Sequence, residues 1–136
     1  MGLPMPQKGR NMESTDTGSV ENLRQPFIDM ASESWRFGKL FNRVLDKLEP
    51  SEATRYANQL RYFFKRLDDS LDLAGLWVVS LEGQAYDAGM AASPLNMEDF
   101  EPNDILIVEQ MVEPVLMGPD GVVKSGTVLL KRVNTP

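Results

Sequence analysis

Carboxylates are the only side chains in this sequence dense enough to suggest chemistry. Glu98, Asp99, Glu101 and Asp104 fall within one short stretch, and oxygen-rich clusters of this kind can hold calcium or magnesium. The stretch lacks the ligand spacing of an EF-hand loop and the glycine that such a loop needs at its sharp turn, so a solvated acidic loop is the expected outcome. The chain contains no histidine and no cysteine. That excludes Ser-His-Asp hydrolysis, zinc or haem ligation by histidine, and thiolate nucleophiles. Gly83, Gly89, Gly118, Gly121 and Gly126 are too scattered for a dinucleotide fingerprint, and no Gly-Lys-Ser/Thr run marks a P-loop. No nucleophile–base pair can be read. The expectation is a protein that works by binding, without catalytic residues, metal or cofactor. A carboxylate- or metal-dependent enzyme is the least supported alternative.

The elements that would position a binding surface change character at Gly75. Before it lie two helix-patterned segments; after it come short β-patterned runs punctuated by Gly, Pro, Asn and Asp. Charge divides at the same place. Residues 73–136 carry nine carboxylates against Lys124, Lys131 and Arg132, so the whole formal charge of −6 sits there. A sequence pI near 4.6 leaves no basic stripe for nucleic acid and no attraction to anionic membranes. The longest apolar run falls far short of the ~20 residues that span a bilayer. Lys8 and Arg10 are not followed by an apolar stretch, so no secretory signal is read. The lack of cysteine fits a reducing cytoplasm. The hydrophobic fraction is 42%, which makes a thin core unless the two halves share it or the chain self-associates.

The expected organisation is a disordered tail over residues 1–20, a helical stem over 21–74 and a small β domain over 75–136. The fold class is α+β. The tail is rich in Pro, Gly, Ser and Thr and cannot bury enough surface to offset chain entropy. The first helix is expected to start near Pro26, which suits the first helical position. Met30, Phe37 and Val44 alternate with Ser34, Phe41 and Leu48, and Phe27, Leu40 and Leu45 widen the stripe. Gly38 weakens it locally. Ser51 is the expected N-cap of the second helix, on which Ala53, Tyr56, Ala57, Leu60, Phe63, Phe64, Leu67 and Leu71 keep the 3.6-residue period. The short connection Glu49-Pro50-Ser51 implies an antiparallel hairpin, ended by Gly75. One hairpin cannot cover both stripes. A homodimeric four-helix bundle is therefore expected, with Phe37, Phe41, Val44, Leu48, Leu60 and Phe64 in its interface. The aromatic residues are read as core packing and the basic set Arg55, Arg61, Lys65 and Arg66 as a solvated face.

The head reads as an antiparallel domain of four to six short strands. Leu76–Val79 opens it, Leu81–Asp87 is a loop, and Ala88–Ala92 is a short strand. In the strand Ile105–Val112, residues Ile105, Ile107, Glu109 and Met111 are expected on one face and Leu106, Val108, Gln110 and Val112 on the other. Val115–Met117 and Val122–Lys124 flank the turn Gly118-Pro119-Asp120-Gly121, and Thr127–Val133 is the last strand. Pro114 suggests an edge. The expected partner surface is centred on Met111, Glu113, Pro114, Leu116, Met117 and Lys124.

This order of elements resembles the GrpE family, the nucleotide exchange factors of the DnaK-type heat-shock chaperones. Phe64-Lys65-Arg66-Leu67 through Leu73-Ala74-Gly75-Leu76 looks like the last bundle helix and its exit. Gly83-Gln84-Ala85-Tyr86-Asp87 looks like a "G-x-x-F-D-P" segment. Phe100-Glu101-Pro102-Asn103-Asp104-Ile105-Leu106 is similar to the family's loop and strand start. Met111–Leu116 stands in place of its "K-G-Y-x-L" turn, and Gly121–Val128 in place of its "N-G-R" hairpin. The sequence departs from that pattern where the family has a His after "F-D-P", in Glu113-Pro114 at the "G-Y" position, and in Val122 and Lys124 at the two hairpin Arg positions. The family's long N-terminal helix is expected to be absent or cut to the short tail. The resemblance implies a cytoplasmic co-chaperone: a homodimer through its helices, with a β head that opens the nucleotide cleft of a chaperone ATPase domain, or one retargeted to another partner. A small acidic dimeric adaptor or secretion-type chaperone is the alternative.

Overall fold

The computed structural model describes residues 12–133 as two helices followed by six short strands: α1 (Met12–Leu45), α2 (Pro50–Leu73), β1 (Trp77–Val79), β2 (Ala92–Pro94), β3 (Leu106–Glu113), β4 (Val115–Gly118), β5 (Gly121–Lys124) and β6 (Gly126–Arg132). This is an α+β chain. It divides into two compact units, Met1–Met30 and Ala31–Pro136. In the first unit the helix already runs from Met12, with Pro26 inside it rather than at its start. Pro26 removes the N–H that would bond to the carbonyl of Asn22; both residues are exposed, where water can serve that carbonyl. The expected disordered tail is therefore helical over residues 12–20, and residues 1–11 lie outside the described residues.

The second unit holds the remainder of α1, all of α2 and every strand. Gly38 of α1 faces α2 so closely that a Cβ there would lie 2.6 Å from Cζ of Phe64. The glycine that weakens the helix by its propensity is thus what lets an aromatic ring seat against its backbone. α2 begins at Pro50, with Glu49 as a cap that makes no side-chain hydrogen bond. Ser51 lies inside the helix instead of capping it, because the fixed φ of Pro50 suits the first helical position. The helix ends as Gly75 predicts. Gly75 has φ of +75°, its N–H bonds to the carbonyl of Asp72, and the N–H of Leu76 reaches back to Leu71. Leu71 and Leu76 are both buried, completing a Schellman stop with its apolar contact.

The strands form two three-stranded sheets, ordered β1-β4-β5 and β2-β6-β3. The first is antiparallel. The second is mixed, because β2 runs parallel to β6. The segment Ala88–Met90 expected as strand is not one, and the strand forms instead at Ala92–Pro94. In β3 the register against β6 shifts between Val108 and Gln110. The extra residue turns the alternation over, so Leu106, Val108 and Met111 are all buried while Glu109 is exposed. Met111 therefore shares the inner face with Leu106 and Val108, not the face of Ile105 and Ile107.

The core joins both halves of this unit. Trp35 of α1 is buried with Leu106, Val108, Met111, Val115, Val128 and Leu130, and Phe64 and Leu67 of α2 pack against them. Gly126 lies where β3 turns into β4; a Cβ there would sit 2.8 Å from the carbonyl oxygen of Glu113 and 3.0 Å from both Met111 Cε and Val115 Cγ2. Gly126→Ala should accordingly cost about 1–3 kcal/mol by overpacking, read from denaturant melts. Trp35→Ala should cost about 3–5 kcal/mol and loosen the head as well as the stem, seen as lost near-ultraviolet dichroism from the tyrosines.

Candidate partner-binding surfaces

The loop between β1 and β2 acts as a hidden strand beside β3. The N–H groups of Gly83 and Tyr86 donate to the carbonyls of Val108 and Leu106, and the N–H of Val108 donates to Gln84. One step along, where the backbone of that loop has diverged, Glu82 supplies the acceptor with its side chain: Oε2 takes the N–H of Met111 at 2.9 Å. The same carboxylate stands 3.8 Å from Nζ of Lys39, which lies over the Trp35 ring at 5.3 Å. On the opposite side of the sheet Asn96 extends β2 in the same manner. Its amide nitrogen donates to the carbonyl of Leu130 and its oxygen accepts from the N–H of Leu130, both at 3.0 Å. Sequence reasoning passed over Trp35, Glu82 and Asn96. Trp35 could have been found from the small residues Ala31 and Gly38 that flank it at helical spacing.

The expected partner-binding residues divide sharply. Met111, Pro114 and Leu116 are fully buried and present no surface to a partner. Pro114 falls between β3 and β4 in the interior, not on an open edge. Glu113 is half-buried and accepts a hydrogen bond from Thr127 Oγ1 at 2.6 Å. Met117 and Lys124 remain partly accessible. Met117 is the middle of a row: its cross-strand partners are Trp77 on one side and Val122 on the other. Direct cross-strand partners share a sheet face, and Trp77 and Val122 are 48% and 50% exposed.

The stem offers a second apolar surface. Phe37, Gly38, Phe41, Gln59, Leu60 and Phe63 line an open groove of about 230 Å³. Of the expected dimer-forming residues, Phe37 and Val44 are exposed, Phe41 half-buried and Leu60 buried at the groove floor. Phe64 is turned inward against the Trp35 core, so it belongs to the monomer's interior. Leu48 lies in the connection after α1, where the chain has left the helix.

The acidic stretch resolves into individual roles. Asp104 Oδ2 accepts the N–H of Glu101 at 2.8 Å and pairs with Arg132 Nη2 at 3.0 Å, while the Arg132 guanidinium lies over Phe100. Among the described residues, no group of three or more carboxylates is placed to hold a metal ion, and no helix is long and apolar enough to cross a membrane. Compared with family models, curated proteins and solved structures, the chain matches none.

The hydrogen bond from Arg132, aided by that from the Glu101 backbone, holds the Asp104 carboxyl below its ordinary value. A depressed carboxyl contributes stability that is present above the ordinary carboxylate range, near 4. That contribution is lost as pH falls through the depressed value. Asp104→Asn should thus be less stable than the parent at neutral pH, with the gap closing in acid, as thermal melts across pH 2–7 would show.

Proposed function

We propose that this chain is a GrpE-like exchange factor for a DnaK-type chaperone, dimeric through its stem and acting through its β head in the cytoplasm. The observation that supports the reading most is where the resembling segments fall. Gly83–Asp87 closes the β3 side of the second sheet, Phe100–Leu106 leads into β3, Met111–Leu116 is the β3–β4 corner, and Gly121–Val128 runs from β5 into β6. These segments, separate in sequence, build one head whose core is completed by Trp35 of the stem.

The exposed groove around Phe37, Phe41, Leu60 and Phe63 supports the dimeric stem, since an apolar face of this kind is ordinarily covered in solution. A second copy would place equivalent residues against it. Exchange then follows from differential affinity: a head that binds the open, nucleotide-free ATPase domain better than the closed one shifts the population toward release.

The deciding measurement is release of labelled ADP from a DnaK-type chaperone with and without the protein. Acceleration is expected, together with a dimer in sedimentation that Phe37→Asp dissociates. No change in release would overturn the exchange-factor reading and leave the acidic adaptor in its place.

A further inference from the structure

The three-residue row across the first sheet is apolar at both ends, where Trp77 and Val122 are exposed. Trp77, Met117 and Val122 are successive cross-strand partners on β1, β4 and β5. They share the face of Val79 and Val115, on which Met117 packs against the core while remaining partly accessible. The opposite face is closed, because Leu76 and Leu116 are buried and Leu76 Cδ2 lies 3.4 Å from where a Gly118 Cβ would be. The row ends in an indole and a valine, each half open to water. Tryptophan in such a position is the residue type most enriched at the energetic centres of protein interfaces.

The border of the row is acidic. Trp77 shares a groove with Asp68, Asp69 and Asp72 at the end of α2, and of these Asp69 is paired with Lys65. At the other end Asp120 occupies the β4–β5 turn beside Val122, with Lys124 as the hairpin's one cation. The head as a whole, residues 73–136, carries a formal charge of −6. Two copies meeting through this surface would set acid against acid, which opposes a head-to-head dimer.

We propose that the Trp77–Met117–Val122 row is the head's docking surface, and that it fits a protein partner with an apolar centre bordered by lysine or arginine side chains. The row takes over the role expected of Met111, Pro114 and Leu116, which are inside the core. The inference rests on the reading that the head docks on a DnaK-type ATPase domain, and it names the part of the head that does so. An apolar centre supplies most of the affinity, while the acidic border guides encounter and orientation.

The test is titration calorimetry against a nucleotide-free DnaK-type ATPase domain at several salt concentrations. The parent should bind, and its affinity should fall as salt rises. Trp77→Ala should weaken binding by about tenfold or more. Asp72→Lys should weaken it severalfold and flatten the salt dependence. Val122→Lys should weaken binding more than Val122→Glu; both lie at an exposed hairpin position and serve if Trp77→Ala loses the fold. If the parent binds and folded Trp77→Ala and Val122→Lys bind equally well, the row is not the docking surface although the exchange-factor reading stands. If the parent does not bind, both fail. If Trp77→Ala instead dissociates a dimer in sedimentation, the row serves self-association and the proposal is overturned.

Discussion

The burial of Trp35 is the constraint on which the rest of this structure depends. The head consists of strands of three to eight residues in two separate sheets, and such pieces are marginal without a surface to pack on. Trp35 supplies that surface from the stem, with Phe64 and Leu67 of α2 beside it. Its size decides the matter: a tryptophan buries about 150–250 Å², worth roughly 4–6 kcal/mol at the usual area coefficient. The same demand fixes the sequence of the stem. Gly38, one turn from Trp35, lets Phe64 approach the helix backbone, and Lys39, one turn along the same face, covers the indole and meets Glu82 of the head.

Small sheets also leave many backbone groups without strand partners, and buried ones must be satisfied. Here two side chains do this. Glu82 accepts from Met111 where the β3 ladder has lost its neighbour, and Asn96 engages both backbone groups of Leu130 beyond the end of β2. A carboxylate suits the first position because a lone N–H needs an acceptor. An amide suits the second because an N–H and a carbonyl must be met together. This explains how β3, at the margin of its sheet, stays closed along most of its length.

Much of this was legible in the sequence where the signal is local. The Gly75 stop, the Asp120-Gly121 hairpin and the order of two helices before all strands follow from turn chemistry and periodicity. What was not legible required knowing which elements meet. The stripe through Met30, Phe37 and Val44 is the more regular, yet Met30 and Phe37 are among the most exposed apolar residues and the head takes the face of Trp35 instead. The bulge near Glu109 reversed the faces of β3, moving Met111 into the core. No pattern in β3 announces it; it arises from the partner strand's register. The parallel pairing of β2 with β6 is likewise a property of a strand pair far apart in sequence.

These same facts account for the division between interior and surface. In a head this small, each inward position is needed for the core, so residues grouped by sequence neighbourhood, such as Met111 to Leu116, cannot form a patch together. Alternation and the sharp β3–β4 corner send them inside. The exposed apolar residues of the first sheet are met across strands instead, with Trp77 and Val122 on either side of Met117. The stem obeys the corresponding rule for helices. Once Trp35 commits one face of α1 to the head, the face bearing Phe37 and Phe41 is turned away from it and lines an open groove with Leu60 and Phe63 of α2.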